Sequence, residues 1–463
     1  MKKKLLNSVL ITTLAIFGLS NPVNAQLIAG GQKHTLAHCG TGTAMAWGDN
    51  MQGQLGNGAN GTSNVAAVPV SFLTVITAIS GGGGHSIALK NDGTVWTWGA
   101  NSTGQLGNGT NFFSNVPVQV SSLTGMIAID AGPGHSIALK NDGTVWTWGY
   151  NYYGQLGNGN TTNSNVPVQV SSLTGITAIE GGSNHFLALK NDGTVWAWGW
   201  NQFGELGNGT NTSSNVPVQV SSITGIIAIS GGGENSFALK NDGTVRAWGF
   251  GLNGELGNGT NTYFSNVPVS VSSITGITAI EAGLGHVLAL KNDGTVWTWG
   301  KNGDGQLGNG TNTNSNVPVQ VSSLTGITAI AAGYDHSIAL KNDATVWTWG
   351  DNLYSQLGNG TSTDSNVPVQ VTGLCAVAVS VNEIAEPLSV SVFPNPFNSE
   401  LKIVSSSNNR GEVILFDITG KEILRQKTFA GETKLNIEKI DAGLYLLNYS
   451  DENKTANIKV VKF

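Results

Sequence analysis

The sequence predicts an all-β chain: a seven-bladed β-propeller of four-stranded blades, followed by a small C-terminal all-β module. Three observations predict it. A unit of 50 or 51 residues recurs seven times, with the glycines of its Trp-Gly dipeptide at 48, 99, 149, 199, 249, 300 and 350. Each unit holds four short runs rich in β-branched and aromatic residues, separated by turn chemistry. The composition agrees: 64 glycines stand against 12 prolines, 11% charged residues and 13 tryptophans. A disordered tract would lack the aromatic and β-branched residues.

Taken in order, Lys2, Lys3 and Lys4 precede an apolar run from Leu5 to Leu19 and then Val23-Asn24-Ala25. This is the pattern of a secretory signal peptide over residues 1–25; the run is short for a spanning helix of ~20 residues. No other segment can span a bilayer, so no transmembrane segment is expected in the mature chain. Residues 26–375 carry the repeats. Unit four shows the pattern: ITAI (Ile176–Ile179), a Gly-rich loop, HFLALK (His185–Lys190), an Asn-Asp-Gly turn, TVWAWG (Thr194–Gly199), a long Gly/Asn loop and VPVQV (Val216–Val220). Four strands per unit make a blade, and seven blades close a ring without a long free edge. The two tryptophans of a unit, Trp96 and Trp98 for example, are two residues apart and point to one side of their strand, where packing between blades is expected. Arg246 replaces the first of them in unit five.

The motif string AGxxHSIAL…GTVWTWGxNxxGQLGNG…VPVQV closely resembles the repeat of the regulator-of-chromosome-condensation family over about 350 residues, from Gln26 to Cys375. The resemblance implies a seven-bladed propeller. In that family function ranges over nucleotide exchange on a nuclear small GTPase, light sensing and protein inhibition, so fold alone does not choose among them. After a linker at 376–387 the period stops. FPNPF (Phe393–Phe397), LFDITGKEI (Leu415–Ile423) and DAGLYLLNY (Asp441–Tyr449) then occur in an order that resembles the C-terminal sorting domain of type IX secretion, placing that domain at 388–463. A small β-sandwich, passage through the type IX secretion machinery and a secreted or outer-membrane-surface location are what this second resemblance implies.

Charge excludes one class of partner. Removing the three leader lysines from a formal charge of −6 gives −9, and between residues 26 and 375 there are 9 Lys/Arg against 17 Asp/Glu, a balance of −8. Nucleic-acid binding needs a basic face to displace counterions, so no nucleic-acid partner is expected.

If the strands run up and down, the Asn-Asp-Gly hairpins and the Ser-Ser-Leu-Thr-Gly connections share one face, where the copies are nearly identical. The other face gathers the loops before each His and the long loops after each Trp-Gly, where the copies differ. Units three to five contribute Tyr150, Tyr152 and Tyr153, then Trp200 and Phe203, then Phe250 and Leu252. Phe112, Phe113, Tyr263 and Phe264 stand in the same loops and extend the set. Two readings are open: the rings form a partner-binding surface, or they pack locally to stiffen long loops.

Six units place a histidine at one point (His34, His85, His135, His185, His286, His336) and unit five has Asn235. Equivalent positions on adjacent blades lie roughly 10 Å apart, too far to converge on one metal ion. A hydrogen bond closing each loop is the expected role, one that an amide also performs. Glu205 and Glu255 replace the Gln of the GQLG motif and form the one candidate carboxylate pair; Gln-to-Glu drift on a loop accounts for them without catalysis. No nucleophile elbow, phosphate loop or Cys/His metal motif occurs. No catalytic residue, cofactor or metal is therefore expected.

Cys39 replaces the hairpin Lys of unit one and Cys375 ends unit seven; first and last units are neighbours in a closed ring, so a disulfide stapling the closure is expected in an exported chain. The sequence thus leads to a monomeric, secreted or surface-bound, non-enzymatic binding propeller with a protein partner. A glycan partner taken through Trp200 and the tyrosines, or guanine-nucleotide exchange by family analogy, are the alternatives.

Overall fold

The computed structural model describes residues 27–39, 42–61, 63–374, 390–395, 397–405, 411–417, 421–428, 432–437, 439–451 and 455–462. The signal-peptide region 1–25, Cys375 and the linker 376–387 lie outside the described residues. The chain divides into two compact units, Met1–Ala376 and Val377–Phe463.

In the first unit, seven four-stranded antiparallel sheets occupy residues 27–69, 76–119, 126–169, 176–219, 226–270, 277–320 and 327–370, numbered as blades 1 to 7. In blade 2 the strands are Ile76–Gly81, His85–Lys90, Val95–Gly99 and Ser114–Gln119, paired in chain order. His85–Lys90 is an unbroken apolar run and is buried up to its final lysine, as a strand covered by a neighbouring blade on each face must be. The outermost strand holds Pro117, tolerated because an edge strand needs no further backbone donor on its free side. First strands neighbour one another around the axis, and that of blade 1 packs on that of blade 7. The ring therefore closes without strand exchange.

The blades are locked by the second tryptophan of each unit. Trp98 is fully buried and its Nε1 donates to the Gln54 carbonyl of the preceding blade at 2.8 Å. Trp47 of blade 1 does the same to Gln356 of blade 7 at 2.9 Å. The first tryptophan is only half-buried; Trp96 Nε1 turns back to Thr94 Oγ1 at 3.2 Å. This is why Arg246 is accepted there, with its guanidinium on Ser270 Oγ.

Hairpins follow the expected chemistry. Asp92 Oδ1 accepts from the Thr94 N–H and hydroxyl, and Gly93 has φ 75°. Blade 7 puts Ala344 at that position with φ 66°, a left-handed conformation that a Cβ disfavours.

The second unit comprises a three-stranded and a four-stranded antiparallel sheet. Their apolar faces share one core that includes Phe397, Leu401, Val413, Leu435 and Leu447, the arrangement of a small sandwich.

Candidate functional site

The long loops of the variable face are built on a buried asparagine. Asn101 Oδ1 accepts the Leu106 N–H at 2.9 Å, and its Nδ2 donates to the carbonyls of Thr110 (3.0 Å) and Phe112 (2.9 Å). Asn151, Asn201, Asn302 and Asn352 repeat this staple. The asparagine is thus structural, and the residues flanking it are presented outward.

Those flanking residues form two ring clusters on blades 3 to 5. Tyr153 lies 4.9 Å from Tyr152, 6.3 Å from Tyr150 and 4.1 Å from Trp200 between centroids. Phe203 lies 5.3 Å from Phe250 and 5.7 Å from Tyr263, which reaches Phe264 at 5.8 Å. Such edge contacts hold the rings in place. Exposure nevertheless remains high at Tyr152 (67%), Leu252 (49%) and Tyr263 (54%), so local packing and an exposed apolar surface coexist. Phe112 and Phe113 are exposed and joined to neither cluster by a ring contact. The other blades mix polar and apolar residues on this face: Lys301 Nζ pairs with Asp335 (2.9 Å) and Asp304 (3.3 Å), and Asp49 and Asp351 accept from Gln54 and Gln356, while Met51 and Leu353 are exposed at the position of Tyr152 and Leu252.

Beneath the rings lies the GQLG position. In every blade one side-chain oxygen there accepts the backbone N–H two residues earlier: Gln155 from Tyr153 at 2.9 Å, Glu205 from Phe203 at 2.9 Å, Glu255 from Asn253 at 2.8 Å. Glu205 and Glu255 are both 1% exposed. Their interaction runs through Glu234, a residue the sequence reading passed over. Burial, and then the Glu234 charge, push the Glu205 carboxyl up to about 7; burial and Glu255 raise Glu234. The only signal for Glu234 was that its position varies freely from copy to copy, from Lys33 to Asp335.

A second acidic group, also unforeseen, lines the central channel. Asp130, Glu180 and Glu281 end the first strands of blades 3, 4 and 6 and face the axis. Asp130 accepts from Ser80 Oγ and the Gly181 N–H, both at 2.6 Å. Loss of water inside the ring raises all three carboxyls, against the hydrogen bonds that Asp130 accepts; the Asp130 charge raises Glu180 and Glu281 further, Glu281 to about 8. No group of His, Cys, Asp or Glu among the described residues is arranged to hold a metal ion.

The histidines do not close their own loops. His34 Nε2 meets Ser86 Oγ of the next blade at 2.9 Å, and His85, His185 and His286 meet Ser136, Ser236 and Ser337 in the same way. His336 completes the circle on Thr35 at 2.9 Å. Each hydroxyl donates onward to a carbonyl, as Ser86 does to Gln54, so the histidine must supply Nε2–H. Desolvation holds the rings neutral, with pKa values lowered to about 3 or 4. The bond is absent where the next blade lacks a hydroxyl: His135 faces Phe186 at 4.6 Å, and Asn235 keeps a buried Oδ1 with no partner. The expected equivalence of Asn235 and histidine therefore fails. Cys39 is 5% exposed and no described cysteine is free.

Seven consecutive four-stranded sheets around a channel define a seven-bladed β-propeller. The RCC1-like domain family matches residues 19–275, and the regulator of chromosome condensation (RCC1) repeat matches 293–340 and 343–382. The chain belongs to the RCC1-like family. A secretion system C-terminal sorting domain matches residues 391–462, which makes this a secreted or outer-membrane-surface protein. No helix among the described residues is long and apolar enough to cross a membrane.

Curated relatives include the probable E3 ubiquitin-protein ligase HERC6 of Homo sapiens, 39% identical over 97 residues, 20% of this chain and 9% of that protein. The ultraviolet-B receptor UVR8 of Arabidopsis thaliana is 36% identical over 97 residues, 20% of this chain and 21% of that one. The regulator of chromosome condensation of Xenopus laevis is 35% identical over 81 residues, 18% and 19% of the two chains. Those matches span at most about a fifth of each relative's length. Among solved structures, human WBSCR16 has a TM-score of 0.65 at 24% identity, covering 71% of this chain and 94% of that one. Yeast RCC1 (Prp20) bound to Kap60 has a TM-score of 0.66 at 21% identity, covering 76% and 86%. These likenesses concern the fold.

Proposed function

We propose that the exported propeller is a non-catalytic binding module that engages a protein partner through Tyr150, Tyr152, Tyr153, Trp200, Phe203, Phe250 and Leu252. The observation that carries this reading is the pair of ring clusters on three adjacent blades, mutually braced yet exposed at Tyr152 and Leu252. Pre-braced aromatic rings lose little conformational freedom on binding, which is what an interface anchor requires. The type IX secretion machinery delivers the module through its C-terminal domain, and the propeller acts as a monomer. A Cys39–Cys375 bridge staples blade 1 to the end of blade 7; equal gel mobility with and without reductant, with both thiols alkylatable, would rule it out.

Crosslinking on intact cells and in the medium, with mass-spectrometric identification of what is captured, tests the main reading. Capture of a protein by wild type but not by the Tyr150→Ala/Tyr153→Ala/Trp200→Ala variant supports it, and capture unchanged by those substitutions removes the face from consideration. Glycan-array binding lost in the same variant would transfer the face to a carbohydrate, and accelerated nucleotide release from a small GTPase would reassign it to exchange.

A further inference from the structure

The GQLG position differs at one junction in a way that calls for a cation. Four of the five glutamines use Nε2 as a donor to a neighbouring acceptor: Gln54 to Asp49, Gln356 to Asp351, Gln306 to Asp335 and Gln155 to Asn184. In blade 5 the substituted carboxylate is compensated, since Glu255 Oε1 accepts from Asn253 Nδ2 at 2.8 Å. In blade 4 it is not. Glu205 is 1% exposed, its Oε2 takes the Phe203 N–H, and its Oε1 is buried without any partner.

What faces that oxygen is the wrong sign. Asn184 and Asp335 receive the glutamine amides of blades 3 and 6, and the equivalent residue for Glu205 is Glu234 of blade 5. Two acceptors meet where the junctions at Gln155 and Gln306 have a donor and an acceptor. No lysine or arginine among the described residues pairs with either carboxylate; Lys301, the nearest on this face in chain order, is held by Asp335 and Asp304. An isolated buried anion is strongly unfavourable, so the junction takes up positive charge from outside or keeps a proton. Glu234 is the half-exposed member and gives access.

The surroundings choose the cation. Phe203, whose backbone N–H is held by Glu205 Oε2, is in ring contact with Phe250 across the same two blades, while Trp200 packs on Tyr153 of blade 3. Flat rings around a carboxylate pair suit a planar guanidinium, which stacks on aromatic faces and bonds carboxylates with two parallel N–H groups.

We propose that the notch between blades 4 and 5, floored by Glu205 and Glu234 and flanked by Phe203 and Phe250, is the socket for an arginine side chain of the protein partner. This rests on the binding face proposed above and names the chemistry of its central contact.

Glu205→Gln is the decisive variant, because it restores the residue found in five blades and leaves the fold intact. The full exported chain is titrated calorimetrically at low salt with the blocked peptide acetyl-Gly-Gly-Arg-Gly-Gly-amide and its lysine and citrulline counterparts. The arginine peptide should bind, the citrulline peptide should bind at least about tenfold more weakly, and Glu205→Gln and Glu234→Gln should each lower arginine-peptide affinity roughly 10- to 100-fold, the range for charged hydrogen bonds. Equal binding of the arginine and citrulline peptides, or wild-type affinity in Glu205→Gln, overturns the socket. Thermal stabilisation of wild type but not Glu205→Gln by calcium alone also overturns it, in favour of a metal ion. In the crosslinking experiment, partner capture lost with the aromatic variant but kept by Glu205→Gln refutes the socket and leaves the face standing; capture lost with neither refutes the face itself.

Discussion

Replacing Thr35 by Val tests whether the side-chain girdle closes the ring. Thr35 is fully buried; its hydroxyl accepts from His336 Nε2 at 2.9 Å and donates to the Gln356 carbonyl at 2.8 Å, joining blade 1 to blade 7. Valine keeps the shape and removes both bonds. Gln356 O retains the Trp47 indole, so the carbonyl is not orphaned. The His336 N–H is orphaned, and its Nδ1 already has no partner. The orphaned buried donor costs about 1–3 kcal/mol and the lost bond to the Gln356 carbonyl about 1 kcal/mol, giving an expected loss of roughly 2–4 kcal/mol. The protein should still fold, because the junctions at His135 and Asn235 lack this bond naturally. Urea unfolding followed by tryptophan fluorescence at pH 7 measures the loss, with Ser86→Ala at the junction of blades 1 and 2 as the internal counterpart. A natively folded Thr35→Val protein within about 0.5 kcal/mol of wild type, the range of neutral surface changes, would refute the girdle.

Three further outcomes are expected. The buried histidines have folded pKa values of about 3 or 4 against 6.5, so the unfolded chain binds more protons and stability falls as pH drops below 6.5. The channel glutamates have the opposite sign: raised above 4.5, to about 8 at Glu281, they favour the protonated fold, and stability falls as pH rises through that window. Between pH 6.5 and 8 the raised carboxyls dominate, Glu205 at about 7 together with Glu281, so Glu281→Gln should reduce the decline in melting temperature there without abolishing it; an unchanged slope would contradict the burial of that charge. Ala344→Gly should stabilise the protein by about 0.5–1 kcal/mol, since it relieves a left-handed alanine, and no gain in the urea midpoint would count against that strain. Gly82→Ala should abolish folding, because its Cβ would come within 2.3 Å of the His85 ring and 2.6 Å of the Gly132 carbonyl; a soluble protein with native circular dichroism would show that the loop can yield.

The sequence by itself determined the blade number, the four strands of each blade, the division of loops between two faces and the residues that vary on one of them. Those features are periodic or local: a 50-residue repeat, alternation along a strand and an Asn-Asp-Gly turn are properties of neighbouring residues. Tertiary structure alone decided what each blade offers the next. His34 finds Ser86 across 52 residues and Trp98 finds the Gln54 carbonyl across 44, so a histidine expected to close its own loop instead ties two blades. Asp130, Glu180 and Glu281 look like scattered acidic residues until seven first strands converge on one axis. Glu205 reads as drift from glutamine until rotation about that axis sets it opposite Glu234. The physical reason is common to all four. Side-chain partners in a ring are chosen by the angle and distance between rigid sheets, and that geometry is a property of the closed assembly, absent from any one repeat.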